Sequence, residues 1–98
     1  MARYDVYLAN EYDLLLDLQA NILSHLETHF VVLLRRGDRV ERPLRRLNPI
    51  LTVDGTEYVM LTQVVASVPT RELGRPITTL AAQSDAIADA VDFLLFGF

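Results

Sequence analysis

Polar and apolar residues alternate at the start of the chain, with Tyr4, Val6 and Leu8 set against Arg3, Asp5 and Tyr7. A period of two predicts a strand with one buried face. After the turn-like Ala9-Asn10-Glu11, Tyr12, Leu14, Leu16 and Leu18 alternate with Asp13, Leu15, Asp17 and Gln19, predicting a second strand paired to the first. Residues 21–28 read as a loop. Phe30 to Leu34 is wholly apolar, as in a strand buried on both faces, and Arg35-Arg36-Gly37-Asp38 closes it as a turn. The sharpest local signal is Asp54-Gly55 between Leu51-Thr52-Val53 and Thr56-Glu57-Tyr58-Val59-Met60. Asp-Gly is preferred in a type I′ hairpin, whose two central residues both need positive φ.

The pattern changes near the end. Leu80 to Leu95 contains neither Gly nor Pro and is rich in Ala, which predicts a helix. Thr79 is its candidate N-cap, although Ala82 stands where a capping box needs Glu or Gln. Gly97 is the expected stop. At about 100° per residue, Ile87, Ala90, Val91, Leu94 and, were the helix to run on, Phe98 form one apolar stripe facing the sheet. Asp85, Asp89 and Asp92 occupy the opposite face. Phe96 falls in the middle of that acidic face, and Phe93 also lies off the stripe. An aromatic directed into water near a helix end is either folded back on the domain or an anchor for a partner.

Composition narrows the classes. The chain has 98 residues, enough for one small domain. It lacks Cys, which excludes a disulfide framework, a Cys-based zinc module and a thiol enzyme. Hydrophobic residues make up 51%, too many for disorder and a heavy load for so small a surface. The longest strictly apolar run is Phe30 to Leu34, far short of the roughly 20 residues of a membrane span. Asp5 interrupts the position where a signal peptide would build its apolar segment. The expectation is a cytoplasmic protein, with no membrane association, that hides an apolar face against another chain.

Candidate chemistry is sparse. His25 and His29 are spaced i, i+4 around Glu27, a spacing that on a helix serves a metal. No third ligand stands nearby, so the segment reads as an exposed loop without a metal. Arg36-Gly37-Asp38 reads as a plain turn. Ser24 and Ser67 have no triad partners and no nucleophile elbow, and no Gly-rich phosphate loop is present. The residues point to a binding protein, not an enzyme, with no cofactor. All nine basic residues are Arg, and six of them (Arg35, Arg36, Arg39, Arg42, Arg45 and Arg46) fall within twelve positions beside only Asp38 and Glu41. Arg suits bidentate pairing with carboxylate or phosphate. The segment is a solvated face, a dock for an acidic peptide, or a contact for a nucleic-acid backbone. The last is disfavoured by a net charge of −4 and by the scarcity of aromatics among the arginines.

Four segments together resemble the CcdB toxin family: Tyr12-Asp13-Leu14-Leu15-Leu16-Asp17-Leu18-Gln19, Asn48-Pro49-Ile50, Ala66-Ser67-Val68-Pro69 and the Leu-Leu-Phe-Gly-Phe terminus. The likeness covers essentially the whole chain. It implies a mostly β fold, an SH3-like barrel with one C-terminal helix, forming a homodimer. It also implies a gyrase poison whose C-terminal tip enters the DNA gyrase A subunit and traps the enzyme with its DNA cleaved. The tip positions are Phe96, Gly97 and Phe98. Gly97 matches the family, whereas Phe96 replaces a tryptophan and Phe98 an isoleucine. A CcdA-like antitoxin, acidic in its C-terminal part, would neutralise the toxin by contacting Asn10, Glu11 and Tyr12 and the region of Arg39, Arg42, Arg45 and Arg46. Operator DNA would be reached only indirectly, through the antitoxin. The two changed tip residues leave an alternative open: a protein of this fold that poisons weakly or not at all and serves as an antitoxin-binding operon co-repressor.

Overall fold

The computed structural model describes residues 2–97. Its strands are β1 (Asp5–Leu8), β2 (Asp13–Asp17), β3 (Thr28–Arg36), β4 (Ile50–Val53), β5 (Thr56–Pro69) and β6 (Thr78–Thr79). They form one antiparallel sheet in the order β4-β5-β3-β2-β1-β6. The sheet curls into a nearly closed barrel, and the helix α1 (Ser84–Phe96) follows it. The expected mostly β barrel with one C-terminal helix is therefore the observed fold.

The β4–β5 hairpin forms as its sequence dictates. Asp54 and Gly55 have φ of 48° and 83°, and Val53 pairs with Thr56. The main core lies between the concave side of the sheet and α1. Val6, Leu14, Leu16, Val32, Leu34, Leu51 and Met60 meet Leu80, Ile87 and Ala90 there, with Val91 at the margin. The segment before the helix is fixed by a two-way bond: Thr52 N–H donates to Gln83 Oε1 (3.0 Å), and Gln83 Nε2 donates to the Thr52 carbonyl (2.9 Å).

Several elements depart from the expected pattern. Tyr7 was expected to face outward, yet it is buried, and Leu8 is exposed. A second apolar cluster of Tyr7, Val31 and Leu73 lines the other side of the sheet, with Leu15 and Val68 packed on it. The chain after β5 thus covers a face that period-two reading assigns to solvent. Arg35 and Arg36 belong to β3 and not to a turn, because β3 pairs with Val59 and Tyr58 of β5 out to Arg36. Strand β5 runs on to Pro69, with a register shift between Val32 and Leu33 that bends it. The helix begins at Ser84, after a 3₁₀ turn at Ala81–Gln83. Thr79 Oγ1 accepts the Ala81 N–H (3.3 Å) just before that turn, and the N-cap position of α1 is Gln83, so Thr79 is not the cap of α1. Leu94 was placed on the core stripe but is 40% exposed. The core that α1 covers ends at Val91, so the last turn projects past it.

The exposed loop expected at His25–His29 also needs correction. His25 is exposed, whereas His29 opens β3 facing inward and is buried. Its Nδ1 lies 2.7 Å from Asp17 Oδ2 and its Nε2 lies 3.0 Å from the Ser24 carbonyl.

The Tyr7 hydroxyl is buried with no hydrogen-bond partner among the described residues. Burial, with the nearby charges of Asp5 and Asp17, pushes its pKa up from 10.0 to about 12. An unpaired buried hydroxyl costs about 1–3 kcal/mol, so Tyr7→Phe is expected to match or exceed the wild type in urea unfolding at pH 7. In the wild type the unfolded chain ionises first. Stability conferred by the neutral phenol is therefore complete below pH 10 and is lost as pH rises towards 12. The phenylalanine variant should lack that alkaline loss. A lower midpoint for the variant at pH 7 would mean that the hydroxyl is stabilising.

Candidate functional site

Two surfaces collect the candidate residues. The first is built on the β1–β2 loop. Asn10 Oδ1 accepts the N–H groups of Tyr12 (2.9 Å) and Asp13 (3.1 Å), and Asn10 Nδ2 donates to Asp13 Oδ2 (3.0 Å). This side-chain turn is the reason for Asn at that position. The Tyr12 carbonyl accepts the Arg36 N–H (3.1 Å), tying the loop to the end of β3. The Tyr12 ring then lies under two guanidinium groups, with Arg39 at 3.7 Å and Arg36 at 5.4 Å from its centroid.

Asp13 and Arg35 are direct cross-strand partners. Arg35 donates to both carboxylate oxygens, at 2.9 and 3.3 Å. The Arg35 hydrogen bond, aided by Asn10 and by the Arg35 charge, holds the Asp13 carboxyl below the usual carboxylate range against the opposing effect of burial. Arg36 pairs with Asp38 in the same bidentate manner, at 3.0 and 2.8 Å. Tyr12, Asp13, Arg35 and Arg39 line an open depression of about 290 Å³.

Asn10, Glu11, Tyr12 and Arg39 are thus brought to one surface. Arg42 and Arg45 lie on the exposed connection to β4 and make no ion pair among the described residues. Arg46 turns the other way, onto α1. Sequence reading counted Arg35 and Arg36 in the arginine-rich run but missed Asp13 and the pairing of Arg35 with it. The signal was the hairpin register, which places Asp13 opposite Arg35.

The connection from β3 to β4 is anchored through Asn48. Asn48 Oδ1 accepts the Leu44 N–H (3.0 Å), and Asn48 Nδ2 donates to the Met60 carbonyl (3.1 Å) and to Gln63 Oε1 (2.9 Å). The Thr62 hydroxyl donates to the Leu47 carbonyl.

The second surface is the end of α1. Gly97 adopts φ 78°, and its N–H donates to the Phe93 carbonyl (2.8 Å), so the expected glycine stop is present. Leu95 and Phe96 are exposed, Phe96 at 63%. The outward aromatic expected from the helical wheel is therefore observed. Phe98, the third expected tip residue, lies outside the described residues.

Comparison with known proteins places this geometry. The model of the CcdB protein family matches residues 3–97. The chain belongs to the CcdB family. Among solved structures, two similar chains come from mycobacterial species, both with a TM-score of 0.74. One is an endoribonuclease, 19% identical, with the match covering 97% of this chain and 90% of that one. The other is an endoribonuclease in complex with its cognate antitoxin, 20% identical, with 97% and 94% covered. At such identities the likeness is one of fold. Comparison with curated protein sequences gives no match. Among the described residues of this CcdB-family chain, no helix is long and apolar enough to cross a membrane, and no group of three or more His, Asp or Glu side chains is placed to hold a metal.

Proposed function

We propose that this CcdB-family chain is the toxin of a toxin–antitoxin module and binds the DNA gyrase A subunit through Phe96, Gly97 and Phe98. It holds gyrase in the state with cleaved DNA by binding that state preferentially, which is population shift without covalent chemistry of its own. The observation that carries this reading is Phe96, exposed beside a left-handed Gly97 at the end of the helix in a chain of this family. The protein acts in the cytoplasm, without a cofactor.

The same reading makes it a homodimer. Strand β5 supports this, since no charged residue occurs from Tyr58 to Thr70 and Gln63 to Ser67 are exposed. Strand β4 pairs with β5 only from Thr56 to Val59, so the later part of β5 has an edge that β4 does not cover, and exposed edges ordinarily carry charge to prevent pairing.

A CcdA-like antitoxin with an acidic segment neutralises the toxin at the surface of Asn10, Glu11, Tyr12, Arg39, Arg42 and Arg45. The Arg39 guanidinium, stacked on Tyr12, keeps its edge for a carboxylate. Arg39→Ala is expected to weaken binding of an acidic antitoxin peptide about fivefold to tenfold, as for loss of one solvent-exposed hydrogen-bonded contact of about 1–1.4 kcal/mol. The loss should shrink as salt is raised. Calorimetric titration at two ionic strengths checks this, and unchanged affinity at low salt would remove Arg39 from the site.

A gyrase cleavage assay tests the toxin reading. Plasmid DNA incubated with gyrase and this protein should accumulate protein-linked double-strand breaks. The phenylalanines at 96 and 98 favour a second reading, because Phe offers a weaker cation–π face than Trp. Antitoxin binding with no gyrase binding and no cleavage would select the co-repressor.

A further inference from the structure

The structure assigns Arg46 to the terminal turn of α1, as the residue that positions the tip. This inference rests on the proposed function for its meaning but not for its first measurement. Arg46 Nε lies 3.1 Å from Asp89 Oδ2, and Nη2 lies 3.1 Å from Asp89 Oδ1, a two-bond fork. The same guanidinium sits 4.8 Å from the centroid of the Phe93 ring. Asp89 and Phe93 are four residues apart and so share one face of the helix. The Phe93 carbonyl in turn accepts the Gly97 N–H that ends α1.

The helix needs such a partner. A helix favours cations and disfavours carboxylates at its C-terminal turn. In α1 Asp92 stands just before that turn, and no basic residue stands in it. The missing cation comes from outside the helix. It comes from a fixed base, because Arg46 lies between Leu44 and Asn48, which are bonded to each other and through Asn48 to β5. Arg46 thereby ties the barrel to the part of α1 beyond Val91, where the core no longer holds it. Its role is therefore separate from that of Arg39, Arg42 and Arg45, although all four belong to one run of sequence.

Amide hydrogen exchange on the full chain tests this directly. Arg46→Gln should speed exchange at residues 93–97 about threefold to tenfold, as for loss of one half-exposed ion pair and one cation–π contact. Exchange at Ile87 should stay as in the wild type, which a general loss of stability would not allow. The charge-reversed pair Arg46→Asp with Asp89→Arg should restore slow exchange. Affinity for the gyrase A subunit should fall by a similar factor, whereas affinity for an acidic antitoxin peptide should stay within about twofold. Unchanged exchange at residues 93–97 would overturn the assignment, as would a loss of peptide affinity without faster exchange. A wild type that does not bind gyrase would refute the proposed function alone, and the exchange result would still decide the role of Arg46.

Discussion

Replacing His29 by alanine is expected to destabilise the fold by about 3–5 kcal/mol, the range for breaking a buried pair by removing one partner. His29 and Asp17 are each 1% exposed. A carbonyl oxygen can only accept, so the Nε2 facing Ser24 carries hydrogen. Nδ1 and Asp17 Oδ2, 2.7 Å apart, then need a second proton between them. Asp17 Oδ1 accepts the Gln19 N–H (2.9 Å), so both carboxylate oxygens are engaged. Alanine at 29 removes the group that shares that proton, leaves Asp17 Oδ2 without its partner in the interior and opens a cavity. Total stability for a domain is about 5–15 kcal/mol, so the loss is a large share of it. For a domain of this size the melting temperature should fall on the order of 15–30 °C. Asp17→Ala should cost a comparable amount by stranding His29. The two losses should not add, since the partners form one unit. Urea unfolding of the two single variants and the double variant measures the coupling. Additive losses would mean that the pair is not the source of the effect.

Legibility in the sequence follows the range of the interaction. The Asp54-Gly55 hairpin and the Gly97 stop depend on the φ preferences of one or two residues, and both are read directly from the chain. The α1 stripe is legible through Ile87, Ala90 and Val91, because periodicity reports a local surface. It fails at Leu94, because periodicity does not say where the neighbouring sheet ends. Tyr7 is misread for the same reason: the cover over it comes from Leu73, far along the chain. His29 reads as a loop residue until β3 is paired with Val68 and its partner Asp17, twelve residues earlier, is in view. Arg46 is the clearest case. Its sequence neighbours group it with the other arginines, while its contacts are with Asp89, 43 positions away. Partners across strands, and between the sheet connections and the helix, fix these roles, and one sequence carries no local mark of them.

The charge layout gives the two candidate surfaces different physical characters. On the β1–β2 loop surface, Asp13 and Asp38 already engage Arg35 and Arg36 in bidentate pairs, so those arginines shape the surface and offer little to a partner. Arg39, Arg42 and Arg45 retain donors for an incoming carboxylate. The helix end is apolar at Leu94, Leu95 and Phe96, with the Asp92 carboxylate just before it and Asp89 already paired with Arg46. An acidic peptide is drawn to the first surface, whereas the second offers apolar side chains and no basic residue in its turn, so the two need not compete for the same side chains.

Truncating the tip should separate binding from folding. Phe96 lies outside the core cluster and is mostly exposed, so Phe96→Ala should shift the unfolding midpoint little. An aromatic anchor at the centre of an interface is worth about 2 kcal/mol or more. Affinity for the gyrase A subunit should therefore fall at least about thirtyfold, and cleavage should fall with it. Gly97→Glu approaches the same surface from the backbone. Among the described residues outside its immediate chain neighbours, nothing lies within 4 Å of a Cβ built at Gly97, so the variant meets no clash there. It does place a side chain at φ 78°, a strain of about 1–2 kcal/mol, and it adds negative charge where a partner would approach. The variant should fold, bind antitoxin peptide as the wild type does, and fail to poison gyrase. Induced expression scored for growth arrest, with both variants beside the wild type, gives the cellular measure. Arrest and cleavage that persist in Phe96→Ala would remove the tip from the mechanism and direct attention to the exposed neutral stretch of β5. Loss of antitoxin binding together with gyrase binding would instead show that the helix end supports both surfaces.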